Sequence, residues 1–421
     1  MALSWRDYVP EGRNGRILTL AMLVNAFGTG TFLAGGTIFF IRFVGLSNVE
    51  LGVGLAVAAV FGMAVTVPTG AVADWIGPRP MLVLLYCWRA GAFAALAFVS
   101  GPVGFAVAAS LQTAAGHASL PINQALVGAI TRDGDRTRMM ALIRSVRNVG
   151  FSIGALAAAP MLASDSLWLN RMVLLATAAT LALSALLLLA LRLPPAGDIE
   201  VKRANPFAAL RVVRDWRYAL LALANSVVVL HMTVLAVGLP LWVVAHGTIP
   251  AATVSVLVIV NTVLAVVFQV PFSKRVKDNA AGVRALRLAC AALAATMLVL
   301  AFPFDVALPV LLGVAVVATV LLTAGELWHA AGSWELSYNL AVPETRTTYL
   351  SLFTVSISLQ EMVGPLAVAL AAGAGPWGWA ALAAPFIAVA FVVGPATGAV
   401  ERHREAAGPQ SGRREAVSQA S

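Results

Sequence analysis

The chain has 421 residues, of which 60% are hydrophobic and only 11% charged, and its mean hydropathy is +0.87. Soluble domains carry about a quarter charged residues, so this composition excludes a molecule covered by a water-facing surface and implies one solvated largely by lipid. The net charge of +9 is dispersed over loops. That excludes a nucleic-acid-binding face and leaves a signal of membrane orientation.

Apolar stretches long enough to cross roughly 30 Å of hydrocarbon recur from end to end. Lipid offers the backbone no hydrogen bonds, so a spanning segment is a helix or part of a closed barrel. These runs are too long and too uniformly apolar for barrel strands, and the fold class is an all-α membrane protein with about 12 transmembrane helices. The first half is expected to span at 16–41, 50–72, 81–100, 103–130, 139–163 and 170–192. The second is expected to span at 218–245, 250–272, 284–303, 306–333, 349–373 and 376–400. The first span is too long for a cleaved signal peptide and no small-residue cleavage site follows it, so a mature N-terminus is expected.

The expected organisation is a cytoplasmic N-terminus at 1–15, a six-helix bundle at 16–193, a cytoplasmic linker at 194–217, a second six-helix bundle at 218–400, and a polar, disordered cytoplasmic tail at 401–421. In the linker, Phe207, Leu210, Val213 and Trp216 are spaced as on a surface-lying amphipathic helix. Arg6, Arg13, Arg16, Arg79, Arg132, Arg136, Arg138, Lys202, Arg203, Lys274, Arg275, Lys277, Arg346 and the tail arginines fall on one side of this arrangement, while Arg42 and Arg171 fall on the other. The bias puts both termini in the cytoplasm. Cys87 and Cys290 lie inside spans without CxxC or histidine pairing, so neither a disulfide nor a metal site is expected. No Gly-x-x-x-x-Gly-Lys occurs to cradle ATP, and no Ser-His-Asp cluster supports an enzyme, so no cofactor is expected. Arginine outnumbers lysine and no N-x-S/T sequon occurs, which favours a bacterial cytoplasmic membrane.

An internal repeat divides six spans from six. "TAAGHASLP…RTRMMALIRSVRNVGFSIG" aligns with "LTAGELWHA…TRTTYLSLFTVSISLQEMVG", pairing Gly116 with Gly325, Arg138 with Arg346 and Gly154 with Gly364. Asn25 likewise matches Asn225. Spans of equal rank run in the same direction, so the halves are two pseudo-symmetric, parallel repeats that enclose a cavity near the midplane. Nothing resembles a filter loop, so a carrier is expected rather than a channel.

Ionisable groups within lipid are costly and are functional candidates. Here they are Arg89, His117, His231, Glu326 and Glu361. His117 and Glu326 occupy equivalent repeat positions, so they are expected to face one another across the cavity. Either glutamate suits a proton carrier with Arg89 as counter-charge, a cation-binding acid, or a structural acid satisfied by neighbouring helices. Either histidine suits titration near neutrality or hydrogen-bonded packing. Asn25, Asn225, Gln124 and Asn261 are candidate cavity-lining polar groups, and Phe32, Trp88, Trp242, Trp328 and Trp334 candidate apolar walls. Trp242 and Trp377, near outer ends, also read as interfacial anchors.

The stretch "GAVADWIGPRP" resembles the signature between spans two and three of the major facilitator superfamily, with Gly70, Asp74, Gly77 and Arg79 on the pattern. Trp75 and Pro78 stand where the family usually has basic residues. "RNVGFSIG" is similar to its glycine-rich span five, "AVPETRTTY" to its Pro-Glu-x-Arg loop, and "AGE" at 324–326 to span ten of its drug-exporter branch. The resemblance implies the major facilitator fold, a cytoplasmic gate in which Asp74 and Arg79 latch the two halves and favour the outward-open state, and helix packing and gating by Arg144, Arg147, Asn148, Gly150 and Gly154. Exporters of that branch usually carry an arginine in span four where this chain has Gln112, so the family's arrangement for perturbing a proton site is missing unless Arg89 in span three takes over. The function so implied is proton-coupled efflux, by alternating access, of small amphipathic or cationic compounds such as drugs or secondary metabolites. The partners are then a small-molecule substrate, protons and the lipid bilayer, with no nucleic acid, and the protein a monomer. An uptake symporter for a sugar, acid or peptide, and a transporter-like receptor or assembly factor, remain the alternatives.

Overall fold

The computed structural model describes residues 10, 12–131, 135–162, 164–192, 206–250, 253–302 and 306–418. Loop arginine Arg132, linker residues 194–205 with Lys202 and Arg203, and the first nine residues lie outside them. Among the described residues every regular element is helical. The helices are α1 Gly12–Arg42, α2 Asn48–Ile76, α3 Pro78–Leu96, α4 Gly101–Ile130, α5 Arg136–Leu162, α6 Leu167–Leu189, α7 Pro206–Ala209, α8 Trp216–Val229 and α9 His231–Thr233. They continue with α10 Leu239–Ala245, α11 Thr253–Ser273, α12 Asn279–Leu300, α13 Leu308–Asn339, α14 Arg346–Gly373 and α15 Gly375–Ser418. The last helix thus continues past the expected span end at residue 400.

Local chemistry sets several boundaries. Ser47 and Glu50 form a reciprocal cap at the start of α2, with Ser47 Oγ accepting from Glu50 N at 3.2 Å and Glu50 Oε2 accepting from Ser47 N at 2.9 Å. Asp215 caps α8 and Asp278 caps α12. Gly77 is the single residue between α2 and α3, and its φ of +97° is a conformation that side chains with a Cβ rarely adopt. Beyond Leu210–Arg214, a 3₁₀ turn, the expected seventh span is helical throughout but not one α-helix. It breaks at Leu230 and widens to a π turn at Val234–Gly238. Pro240 accounts for the π turn: it has no N–H to donate and its ring crowds the carbonyl one turn back, at Ala236.

Nine helical stretches among the described residues are long and apolar enough to cross a membrane. The expected spans at 81–100, 103–130 and 139–163 are present as α3, α4 and α5 but fall outside that set. The reason is their polar load, which includes Arg89, Gln112, His117, Arg144 and Arg147.

The chain forms two compact units: Met1–Val212 with Thr262–Arg275 and Pro343–Ser358, and Val213–Asn261 with Val276–Val342 and Leu359–Ser421. In the first unit, small residues let backbones approach. A Cβ at Gly150 would meet Ala26 Cβ at 2.8 Å and Leu23 O at 2.9 Å, and one at Gly154 would fall on the Phe27 carbonyl. Thr177 Oγ1 donates to Gly28 O at 2.8 Å, tying α6 to α1. The second unit has an apolar core that includes Val228, Val234, Leu293, Leu322 and Phe386. Trp242 belongs to that core, 1% exposed and donating from Nε1 to Leu300 O at 2.9 Å. It is therefore not an interfacial anchor, whereas Trp377 is 84% exposed.

The repeat recurs as packing. Gly154 on α5 lies against α1, and its mate Gly364 on α14 lies against Leu230 and Thr233 of the seventh span. Gly116 on α4 lies against Arg89 of α3, and Gly325 on α13 lies against Leu293 of α12. Gly154→Leu is expected to lower stability by about 1–3 kcal/mol, the usual range for overpacking. Gly313→Ala, at a site with nothing within 4 Å, is the neutral control. Thermal unfolding of the two purified variants checks this, and equal midpoints would contradict it.

Candidate functional site

The turn "GAVADWIGPRP" splits its charges between two helices. Asp74, at the C-terminal end of α2, receives hydrogen bonds from Thr347 N at 2.8 Å, Thr348 N at 2.8 Å and Thr348 Oγ1 at 2.6 Å. Those N–H groups belong to the first turn of α14, which has no intrahelical acceptors for them and carries the positive end of the helix dipole. Gly70, one turn before Asp74, is close enough to Ser351 and the Thr347 carbonyl that a Cβ there would clash. Arg79 does not join Asp74. Its Nε donates to Leu188 O at 3.1 Å and its Nη2 to Leu189 O, at the C-terminal end of α6. A cation at a helix C-terminus is the matching electrostatic arrangement.

In the second unit, Glu326 of α13 is 7% exposed and accepts from Asn261 Nδ2 at 2.9 Å, which also donates to Thr323 Oγ1 at 2.9 Å. One turn further along α13, His329 joins His231 and Asn225. His329 Nε2 lies 2.9 Å from Asn225 Oδ1, and His329 Nδ1 lies 3.1 Å from His231 Nε2. Since an amide oxygen only accepts, His329 Nε2 carries the donated proton, and His231 Nε2 donates to His329 Nδ1 when both rings are neutral. Nearby, Gln360 Nε2 donates to Thr233 Oγ1. Glu361 is exposed on α14. Trp328 is half-buried and packs against the core of the unit.

In the first unit, His117 Nδ1 lies 3.2 Å from Ser358 Oγ, so His117 and Glu326 each have partners within their own unit. Arg89 reaches from α3 to α4, its Nη2 3.5 Å from Gln112 Oε1 and its guanidinium against Gly116. A guanidinium therefore stands beside Gln112, supplied by the neighbouring helix. Phe32 is half-buried with its ring 4.9 Å from that of Phe93. Trp88 is half exposed and donates to Leu111 O at 3.1 Å. Gln124 is buried, and Asn25 accepts from Thr29 Oγ1. Arg144, Arg147 and Asn148 are half-buried on α5.

Reading the sequence missed His329, Thr347 and Thr348. His329 had a signal, its place one turn after Glu326 on the same helix face. The threonines had none, because two of the three donors are backbone N–H groups, which leave no trace in side-chain chemistry, and the third is one threonine hydroxyl among many.

The profile of the Major Facilitator Superfamily matches residues 18–333. The chain belongs to the major facilitator superfamily. It is therefore a multi-pass membrane transporter and not an enzyme. It is 31% identical over 128 residues to the multidrug resistance protein MdtH of Edwardsiella ictaluri, covering 30% of this chain and 32% of that protein. It is 32% identical over the same length, with the same coverage, to the MdtH of Yersinia enterocolitica. The match thus spans about a third of these relatives. Its fold is similar to that of the major facilitator transporter FucP in the outward conformation, with a TM-score of 0.71 and 17% identity over 93% of this chain and 99% of that one. It is also similar to a bacterial homologue of the iron transporter ferroportin, with a TM-score of 0.65 and 14% identity over 93% of this chain and 100% of that one.

Proposed function

We propose that the protein is a monomeric secondary active transporter of a bacterial cytoplasmic membrane. It has about 12 spans in two six-helix bundles and both termini inside, and works by alternating access. It exports small amphipathic organic compounds in exchange for protons. The observation that carries proton coupling is the buried carboxyl of Glu326, held by Asn261, one turn from the His231–His329–Asn225 chain. A carboxyl inside a helix bundle binds a proton when the cavity opens to the acidic side and releases it to the more basic one. The histidine pair extends the path along which that proton moves, because each ring can take a proton on one nitrogen and pass one from the other. The partial match to multidrug resistance proteins supports export of drug-like compounds.

The test is accumulation of amphipathic fluorescent dyes, cationic and anionic, in efflux-deficient cells with and without the protein. Lower accumulation that a protonophore abolishes is expected. Unchanged accumulation across the panel, from a well-expressed protein, would remove export from the reading.

A further inference from the structure

Two guanidinium groups lie inside the first unit with no acid set against them among the described residues. Arg89 on α3 and Arg147 on α5 are both half-buried. Arg89 Nε is buried without a hydrogen-bond partner among the described residues, and Nη2 has only the 3.5 Å contact to Gln112 Oε1. The Arg89 guanidinium lies 5.9 Å from the centre of the Phe93 ring, and that of Arg147 lies 5.5 Å from the centre of the Phe151 ring. Neither forms an ion pair among the described residues. The charges that act on them are of like sign, Arg147 on Arg89 and Arg144 on Arg147. The remaining neighbour acting on both is Tyr86, whose hydroxyl accepts from Asn123 Nδ2 at 3.3 Å.

Among the described residues, no acid of this unit stands beside them in mid-helix. The described acids, Glu50, Asp74, Asp135, Asp165 and Glu344, all lie at helix ends or between the helices. Asp74 is taken up by the first turn of α14. A buried cation without a counter-charge is costly, and interior ionisable groups mark a substrate or ion path.

The repeat supplies an internal control. Gly116 lies against Arg89, and its mate Gly325 lies against Leu293 of the corresponding helix. A leucine therefore fills the equivalent space in the second unit, so packing on the glycine does not require a charge. The arginine adds hydrogen-bond donors and a positive charge, and its planar fork matches the two oxygens of a carboxylate.

We propose that Arg89 and Arg147 form a binding site for an organic anion: its carboxylate is held by Arg89, its charge is balanced further by Arg147, and its apolar body lies along Phe93 and Phe32. The expectation of a cationic cargo rested on Glu326 and Glu361, which belong to the other unit. The site itself stands on the geometry of the first unit, and only its role as the cargo site rests on the transporter reading above.

The test is equilibrium dialysis of the purified protein in nanodiscs of zwitterionic lipid, with empty discs subtracted. The probes are three matched compounds: 2-naphthoate, 2-naphthylmethanol and 2-naphthylmethylammonium. Naphthoate is expected to bind at least about tenfold more tightly than the neutral and cationic forms. Arg89→Gln and Arg147→Gln are each expected to weaken naphthoate about tenfold while leaving the alcohol unchanged, and Arg89→Lys to retain part of the preference. Equal binding of the three probes, no naphthoate binding above empty discs, or an unaltered preference in the folded double variant overturns the site. The matched series on the unsubstituted protein decides the matter even where a variant fails to fold. Naphthoate bound selectively but not moved across proteoliposome membranes supports the site and removes its role as the cargo site. Dye export without any preference for naphthoate does the reverse.

Discussion

Asp74→Asn is expected to reduce transport at least about tenfold without reducing the amount of folded protein. The native carboxylate collects three hydrogen bonds from Thr347 and Thr348, two of them from backbone N–H groups at the start of α14. Hydrogen bonds to a charged acceptor contribute about 1.5–3 kcal/mol each. Asparagine keeps one acceptor oxygen, turns the other position into a donor facing donors, and removes the charge from the helix N-terminus. A loss of about 1.4 kcal/mol in the docked arrangement shifts a two-state equilibrium tenfold, and the loss here exceeds that. Ser351, buried at 0% and adjacent to Gly70, is the reporter position. In a Cys87→Ser background, alkylation of Ser351→Cys from the cytoplasmic side is expected to accelerate about tenfold when Asp74→Asn is added. Arg79→Gln is the contrast. Arg79 caps the carbonyls of Leu188 and Leu189, so its loss is expected to lower thermal stability and leave that alkylation rate unchanged. Equal alkylation in the presence and absence of Asp74→Asn would falsify the docking role.

Glu326→Gln is expected to abolish the protonophore-sensitive component of export while sparing downhill exchange of the same compound. Glutamine preserves shape and its amide oxygen can still accept from Asn261 Nδ2, which holds the native side chain, so the fold is expected to survive. It cannot take up and release a proton, so coupling stops. His329→Gln is expected to slow the coupled step rather than end it. Its amide can still reach Asn225 but cannot carry a proton onward to or from His231. The two variants are separated by proton release on substrate addition, followed with a pH-sensitive dye in lightly buffered detergent solution. Release that is unchanged in Glu326→Gln rules out Glu326 as the carrier.

The helices and their repeat were legible because lipid imposes a strong pattern: long apolar runs interrupted by glycine, proline and charge. The pairing of Gly116 with Gly325 and of Gly154 with Gly364 carried directly into equivalent packing, since close backbone approach demands a missing Cβ whatever the surrounding sequence. Asp74 was legible as a candidate that joins helices but its partners were not. They are the Thr348 hydroxyl and the backbone N–H groups of Thr347 and Thr348, some 270 positions away, and every residue but proline has such an N–H. The wide turn at Val234–Gly238 was illegible because hydropathy registers apolarity and not the spacing of hydrogen bonds along a helix. Arg89 was recognised as interior, yet its sequence neighbours did not reveal that it reaches Gln112 and Gly116 on the adjacent helix. That reach depends on how α3 and α4 face each other, which a single helix does not encode.

The wide turn at Val234–Gly238 has a mechanical consequence. A π turn holds one more residue than an α turn, so it is a length of slack stored in the rod. Releasing that slack would advance the segment Leu239–Ala245 by about 1.5 Å and rotate it by about 100°. Trp242 stands in the way: its indole is sunk in the core and tethered to the Leu300 carbonyl at 2.9 Å, and rotation of the segment would tear it free. The tryptophan therefore pins the segment Leu239–Ala245 against the slack held in the turn.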